Sequence, residues 1–190
     1  MELTKLQKFL TVLLLLSTIL YPQEMPVPVD IQYSLFQKIL TYDRNLKSRG
    51  TEKLVVGIIY QEKFRMSLVA KDNFMAAFNA SATKTIEGIA IECIAINIGD
   101  SKDITEKIAD ADVNILYVAP LRVPPLKEIA DFCTEKQILT LSGVPEYIKS
   151  GLSVGIGQKG NKPEILINLK SAKAEGSNFS SNLLKLATVF

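Results

Sequence analysis

Pro163 to Phe190 reads PEILINLKSAKAEGSNFSSNLLKLATVF, and this stretch decides the fold. Ile165, Ile167 and Leu169 alternate with Glu164, Leu166 and Asn168, a β-rich run that suits a buried strand better than a helix. Lys170 to Glu175 reads as a short polar helix that stops at Gly176. Ser177 to Ser181 then offer helix caps ahead of Leu183, Leu184, Leu186 and Ala187, whose spacing places an apolar face on a short last helix. A face of that kind must dock, so this end is expected to complete the core.

Upstream, Leu152 to Gln158 is the expected hairpin partner of Glu164 to Leu169. Between them Gly155-Ile156-Gly157-Gln158-Lys159-Gly160 matches the dinucleotide pattern G-x-G-x-x-G. That pattern binds pyrophosphate only where the glycine loop opens a helix; here Asn161, Lys162 and Pro163 lead into a strand, so a hairpin turn is expected and no nucleotide is assigned.

Further back, Gln137 to Leu141 predicts a strand and Val144 to Lys149 a helical turn or two. Pro124 and Pro125 open a helix that faces Leu126, Ile129, Ala130 and Cys133 inward. Val113 to Val118 and Leu54 to Tyr60 (LVVGIIY) are continuous apolar runs, the pattern of strands covered on both faces. Lys102 to Ala109 predicts a short helix, Ile86 to Ile98 a long strand continuing from a turn around Gly88, and Phe64 to Phe78 a helix. Asp30 is the expected cap of a helix from Ile31 to about Leu46, closed by the basic run Arg44 to Arg49 and Gly50. The fold class that follows is α/β: a mostly parallel sheet flanked by helices, with an antiparallel C-terminal hairpin and a short terminal helix.

Residues 1 to 25 have a different character. Lys5 and Lys8 supply a positive start, Phe9 to Tyr21 form an apolar stretch broken only by Thr and Ser, and Pro22 ends it. This is the layout of a secretory signal, short of the roughly 20 apolar residues a spanning helix needs; an uncleaved anchor is the alternative. Residues 26–190 are then one exported domain.

Lys and Arg number 22 against 20 Asp and Glu, with no basic cluster to follow a phosphate backbone, so nucleic acid is not an expected partner. The chain has no histidine, which removes Ser-His-Asp and Cys-His catalysis and the usual zinc ligand sets. No enzyme, metal or cofactor is expected. Cys93 and Cys133 are the two cysteines: as separate buried thiols they behave as small apolar residues, and as a disulfide they would restrain the unfolded chain by roughly 4 kcal/mol.

In a doubly wound sheet, ligands and partners meet the loops at the carboxyl ends of the strands. Those loops hold Tyr60 and Gln61, Gly99 to Ser101, Pro120 to Arg122, and Ser142 and Gly143. Arg122 stands out, since a guanidinium beside prolines can hold a carboxylate or phosphate, unless it is merely a solvated loop charge.

The run from Ile167 to Ala187 resembles the closing signature of the YfiR/HmsC-like family of small bacterial periplasmic proteins: a strand ending in Asn (Asn168), a small basic helix (Ala172, Lys173, Ala174, Gly176), then Ser-Ser-x-Leu-Leu-x-Leu-Ala (Ser180, Ser181, Leu183, Leu184, Leu186, Ala187). The resemblance implies a periplasmic regulator that represses an inner-membrane signalling enzyme, typically a diguanylate cyclase, or here a sensor kinase, by engaging its periplasmic region. It also implies a homodimer, for which the Leu183, Leu184 and Leu186 stripe is a candidate face, and membrane contact only through the partner or an uncleaved signal. Family members with disulfide-dependent regulation carry cysteines in the segment corresponding to Glu146 to Gly155; this chain has none there, so that switch is not expected. The competing class is a small solute-binding module using the crevice.

Overall fold

Strand β1, Lys53–Tyr60, is buried from Leu54 to Ile59, and a strand with no solvent face needs helices above and below it. The computed structural model, which describes residues 25–50, 52–99 and 103–190, supplies them. Almost all of the expected leader, residues 1–24, and Ser101 lie outside the described residues. In chain order the elements are α1 (Val29–Leu40), α2 (Leu46–Arg49), β1, α3 (Arg65–Ala80), β2 (Thr85–Ile86), β3 (Ile89–Asn97), α4 (Ile104–Asp110), β4 (Ile115–Val118), α5 (Leu126–Lys136), β5 (Leu139–Ser142), α6 (Pro145–Lys149), β6 (Val154–Lys159), β7 (Lys162–Ile167), α7 (Leu169–Ala174), α8 (Ser181–Leu184) and β8 (Thr188–Val189).

The strands form one sheet in the order β2-β3-β1-β4-β5-β6-β7-β8. From β3 to β6 neighbours are parallel, β2 and β7 run against their partners, and β8 lies parallel to β7. The order reverses between β1 and β4: the chain leaves β1 for β3 on one side and returns to build β4, β5 and β6 on the other. Alternate residues of each strand feed two cores, as the period of two requires. Leu54, Val56, Ile58, Tyr117, Leu141 and Ile156 join α1, α3, Phe179 and Leu183 in one core; Val55, Ile59, Leu116 and Val118 join α4, α5 and α6 in the other.

In the first core Tyr117 stacks tilted on Phe74 at 4.4 Å and meets Phe36 edge-on at 6.0 Å, while Tyr33 meets Phe74 at 5.3 Å. Each such pair adds about 1 kcal/mol beyond area burial. The Tyr117 hydroxyl donates to Gln32 Oε1 (3.1 Å), and Gln32 Nε2 donates to the Val27 carbonyl (2.7 Å), so a polar chain ties the segment before α1 to the central sheet.

Four expectations need correction. The first helix ends at Leu40, six residues early, because Asp43 turns inward to bridge Phe179, and Asp30 makes no cap bond, lying instead in the first turn. The long run from Ile86 splits at Glu87 and Gly88, whose φ of +51° and +84° make a tight hairpin of β2 and β3. The last helix stops at Leu184, leaving Leu186 71 % exposed, since the chain extends into β8, an edge strand beyond the hairpin. The residues 137–138 precede β5 instead of belonging to it, with Gln137 left-handed at the end of α5.

The glycine run behaves as expected of a hairpin. Gly160 takes φ +60° at the turn, and a Cβ on Gly155 would lie 2.4 Å from Ile148 Cγ1, so β6 and α6 touch only because that side chain is missing. Asn168 caps α7 by accepting the Ser171 N–H (3.2 Å), Gly176 ends it at φ +85°, and Ser180 caps α8.

A chain ended at Leu169 loses Phe179, Leu183 and the bridge to Asp43 together. It is expected to show no cooperative thermal transition by far-ultraviolet circular dichroism; a soluble truncated chain melting as sharply as the full one would contradict the role given to this segment.

Candidate functional site

At the carboxyl ends of the strands the reversal of order between β1 and β4 opens the loops expected to bind. Gln61 joins them: its Nε2 donates to the Gly99 carbonyl (3.1 Å) and its Oε1 accepts the Arg122 N–H (2.6 Å). The Arg122 guanidinium lies over the Phe64 ring at 5.4 Å, and Lys71 Nζ lies over Tyr60 at 5.0 Å. Tyr60, Gly99 and Arg122 thus come together around Gln61 at a partly open, cation-bearing rim. A guanidinium held over an aromatic face keeps its donors free for a carboxylate.

Ser142 and Gly143 sit apart from this rim. The Ser142 hydroxyl donates to the Val118 carbonyl (2.8 Å) and accepts the Val144 N–H (3.1 Å). Gly143 is pressed under Gln32, whose Oε1 would stand 2.2 Å from an added Cβ. Both residues are buried, Gly143 under α1 and Ser142 within the loop's own hydrogen bonds.

The opposite end of the sheet carries a polar cluster that pattern reading missed. Glu175, fully buried, accepts from the Thr140 N–H (2.8 Å), the Thr140 hydroxyl (2.9 Å) and the Ser153 hydroxyl. Arg49 donates to the carbonyls of Gln137 and Glu175 and to Ser177 Oγ, and stands 3.9 Å from Asp43 Oδ2. Asp43 Oδ1 accepts the N–H groups of Asn45 (3.0 Å) and Asn178 (2.8 Å). Burial lifts Glu175 to a pKa of about 7 against the pull of its donors and of Arg49, and burial also lowers Arg49. The sequence held one signal of this: Thr140 and Ser153 are polar residues in otherwise apolar runs, and buried hydroxyls need partners. A pocket of about 180 Å³ opens beside Arg49 and Gln137.

Cys93 and Cys133 are both free thiols, and they lie in different cores on opposite faces of the sheet, which leaves the disulfide alternative without a geometry. Burial raises both, Cys93 to about 12, so neither is a thiolate near neutrality. Among the described residues no group of three His, Cys, Asp or Glu is placed to hold a metal ion, and no helix is long and apolar enough to cross a membrane.

A family model described as YfiR/HmsC-like matches residues 60–188 of the 190. No curated protein matches the sequence. Solved structures share the fold at low identity. An ABC domain in complex with L-Trp from Streptococcus pneumonia has a TM-score of 0.60 at 14 % identity, covering 85 % of this chain and 61 % of that one. A conserved domain protein from Vibrio cholerae O1 biovar El Tor has a TM-score of 0.59 at 12 % identity, over 85 % and 60 %. A ligand-free, open substrate binding protein with adhesive properties from Clostridium difficile has a TM-score of 0.53 at 17 % identity, over 77 % and 57 %. The chain spans about three fifths of the length of these proteins.

Two outcomes follow from the buried groups. Because the folded chain holds the Glu175 proton up to about pH 7 while the unfolded chain releases it near 4.5, this group favours folding fully below 4.5 and its contribution, on the order of 3 kcal/mol, is lost as pH rises through 7. Glu175→Gln keeps an acceptor for the Thr140 N–H, so urea unfolding against pH is expected to lose this component of its slope between 4.5 and 7, whereas Glu175→Ala strands the donors and costs roughly 3 kcal/mol. Thiol titration of the denatured, unreduced chain is expected to find both cysteines free; a titre near zero would refute their separation.

Proposed function

Because the chain belongs to the YfiR/HmsC-like family, we propose that it is a periplasmic regulatory binding protein that represses an inner-membrane signalling enzyme, a diguanylate cyclase, through protein contact. Residues 26–190 act as one exported domain once the leader is removed. Repression lowers cyclic di-GMP and with it biofilm output. The observation that carries this reading is the family match over residues 60–188, and two features agree with it: a chain with no histidine, and cysteines held as buried thiols. The mechanism is one of differential affinity, since a bound protein holds an enzyme off only by binding its inactive state more tightly than its active one.

A second reading, a solute-binding or ligand-sensing module, draws on the fold it shares with substrate-binding proteins and on the rim where Arg122 lies over Phe64. In it Arg122 takes the carboxylate of a small acid and Tyr60 lines the entry.

Deleting the gene and measuring cyclic di-GMP separates the two. A rise, reversed by the wild-type gene on a plasmid, is the expected result. No rise, together with an upward shift in the melting temperature of the purified protein in L-Trp that Arg122→Ala abolishes, would replace the repressor reading with the solute-binding one.

A further inference from the structure

The outer edge of β3 is left open over most of its length. Strand β2 covers it only from Ile89 to Ile91, the two strands being joined by the Glu87-Gly88 turn. The Ile91 N–H donates outward to the Lys84 carbonyl (2.8 Å), while the Ile98 N–H donates inward to the Tyr60 carbonyl (2.9 Å). Alternation along the strand therefore turns the backbone groups of Cys93, Ala95 and Asn97 outward, and among the described residues no strand pairs with them. One of these groups is met otherwise, since the Asn97 carbonyl accepts from Lys107 Nζ (3.0 Å).

Exposed edges are ordinarily blunted by proline, by a charge, by a bulge or by being very short. Cys93 to Asn97 (CIAIN) has no proline and no charge, and its register with β1 runs unbroken from Lys53 and Ala90 to Tyr60 and Asn97. The far edge of the sheet, β8, is by contrast 2 residues long. An open run of backbone donors and acceptors fits one kind of occupant, another extended strand.

We propose that this strand is β3 of a second copy of the chain, paired antiparallel about a two-fold axis beside Ala95. The register is self-complementary. Ala95, small and exposed, meets its own counterpart, so the two backbones exchange both hydrogen bonds at the axis. Ile94 of each copy lies opposite Ile96 of the other, which gives the half-buried Ile94 an apolar cross-strand neighbour, and Cys93 lies opposite Asn97. Glu92, the one charged residue of β3, falls across from Ile98 and not against its own counterpart; Lys107 Nζ stands 3.5 Å from that Ile98 carbonyl. A two-fold pairing closes on itself, whereas β3 on β8 would leave free edges and grow. The Leu183, Leu184 and Leu186 stripe offers less, because Leu183 is buried and Leu184 half-buried, which leaves Leu186.

The pairing is independent of the repressor reading and is tested on the full chain by sedimentation velocity. The wild type is expected at twice the mass of one chain. Ala95→Pro removes the N–H at the axis, a loss that an outward-facing edge position tolerates. It is expected to weaken the dimer about tenfold or more and to keep the wild-type far-ultraviolet circular dichroism. Ala95→Cys, treated with a short bis-maleimide, is expected to cross-link into a covalent dimer, while the wild type, with Cys93 and Cys133 buried, and Leu186→Cys do not. If the proline variant loses its fold, the Ala95→Cys cross-link decides alone. A wild type that sediments as one chain overturns the proposal. So does a dimer that a folded Ala95→Pro leaves intact, or one that cross-links through Leu186→Cys and not through Ala95→Cys.

Discussion

A carboxylate and a guanidinium buried together govern this structure. Taking either from water costs several kcal/mol, and the arrangement is stable only because nearly every acceptor and donor is met. Glu175 is held by β5 and by the residue ahead of β6, and Arg49 by the carbonyls of Gln137 and Glu175 and by Ser177. Asp43 completes the set by gathering the N–H groups of Asn45 and Asn178. One polar knot thus joins the end of the first helical region, the amino ends of the central strands and the closing segment. Two atoms, Asp43 Oδ2 and Arg49 Nε, have no hydrogen-bond partner within it, which puts the remaining cost of the knot in the space between those side chains.

The carboxyl end of the sheet is tied differently, through its loops. Gln61 links three loops there, and the same loop that lays Arg122 on Phe64 ejects Val123 into solvent. Loops tied to one another in this way lose little backbone freedom when a ligand or partner meets them. The cysteines add nothing reactive to that surface: they are spent as apolar filling, one in each core.

Much of the architecture could be read from residue pattern. Leu54 to Tyr60 and Val113 to Val118 are apolar without interruption, and such runs fit only strands covered on both faces. The glycines from Gly155 to Gly160 were legible as a turn because a strand follows them. Less of the binding end was legible. Tyr60, Gly99 and Arg122 are brought together as the strand order implies, whereas Ser142 and Gly143, equally placed in sequence, are buried, Gly143 beneath Gln32, a residue more than a hundred positions away. Which loop residues a helix covers depends on packing that periodicity does not encode.

Local chemistry by itself therefore determined the central strands, the two-sided cover, the turns and a helix cap within Ser177 to Ser181, because each depends on neighbours within a few residues. Tertiary structure alone decided that the helix ahead of Asp43 would stop at Leu40, that Glu175 would be buried at the end of a helix that looks solvated, and that the chain would add β8 past the hairpin. The first two share one physical reason. A buried polar group is stable only where distant partners meet its hydrogen bonds, and the partners of Asp43 and Glu175 come from segments that only the folded sheet brings together.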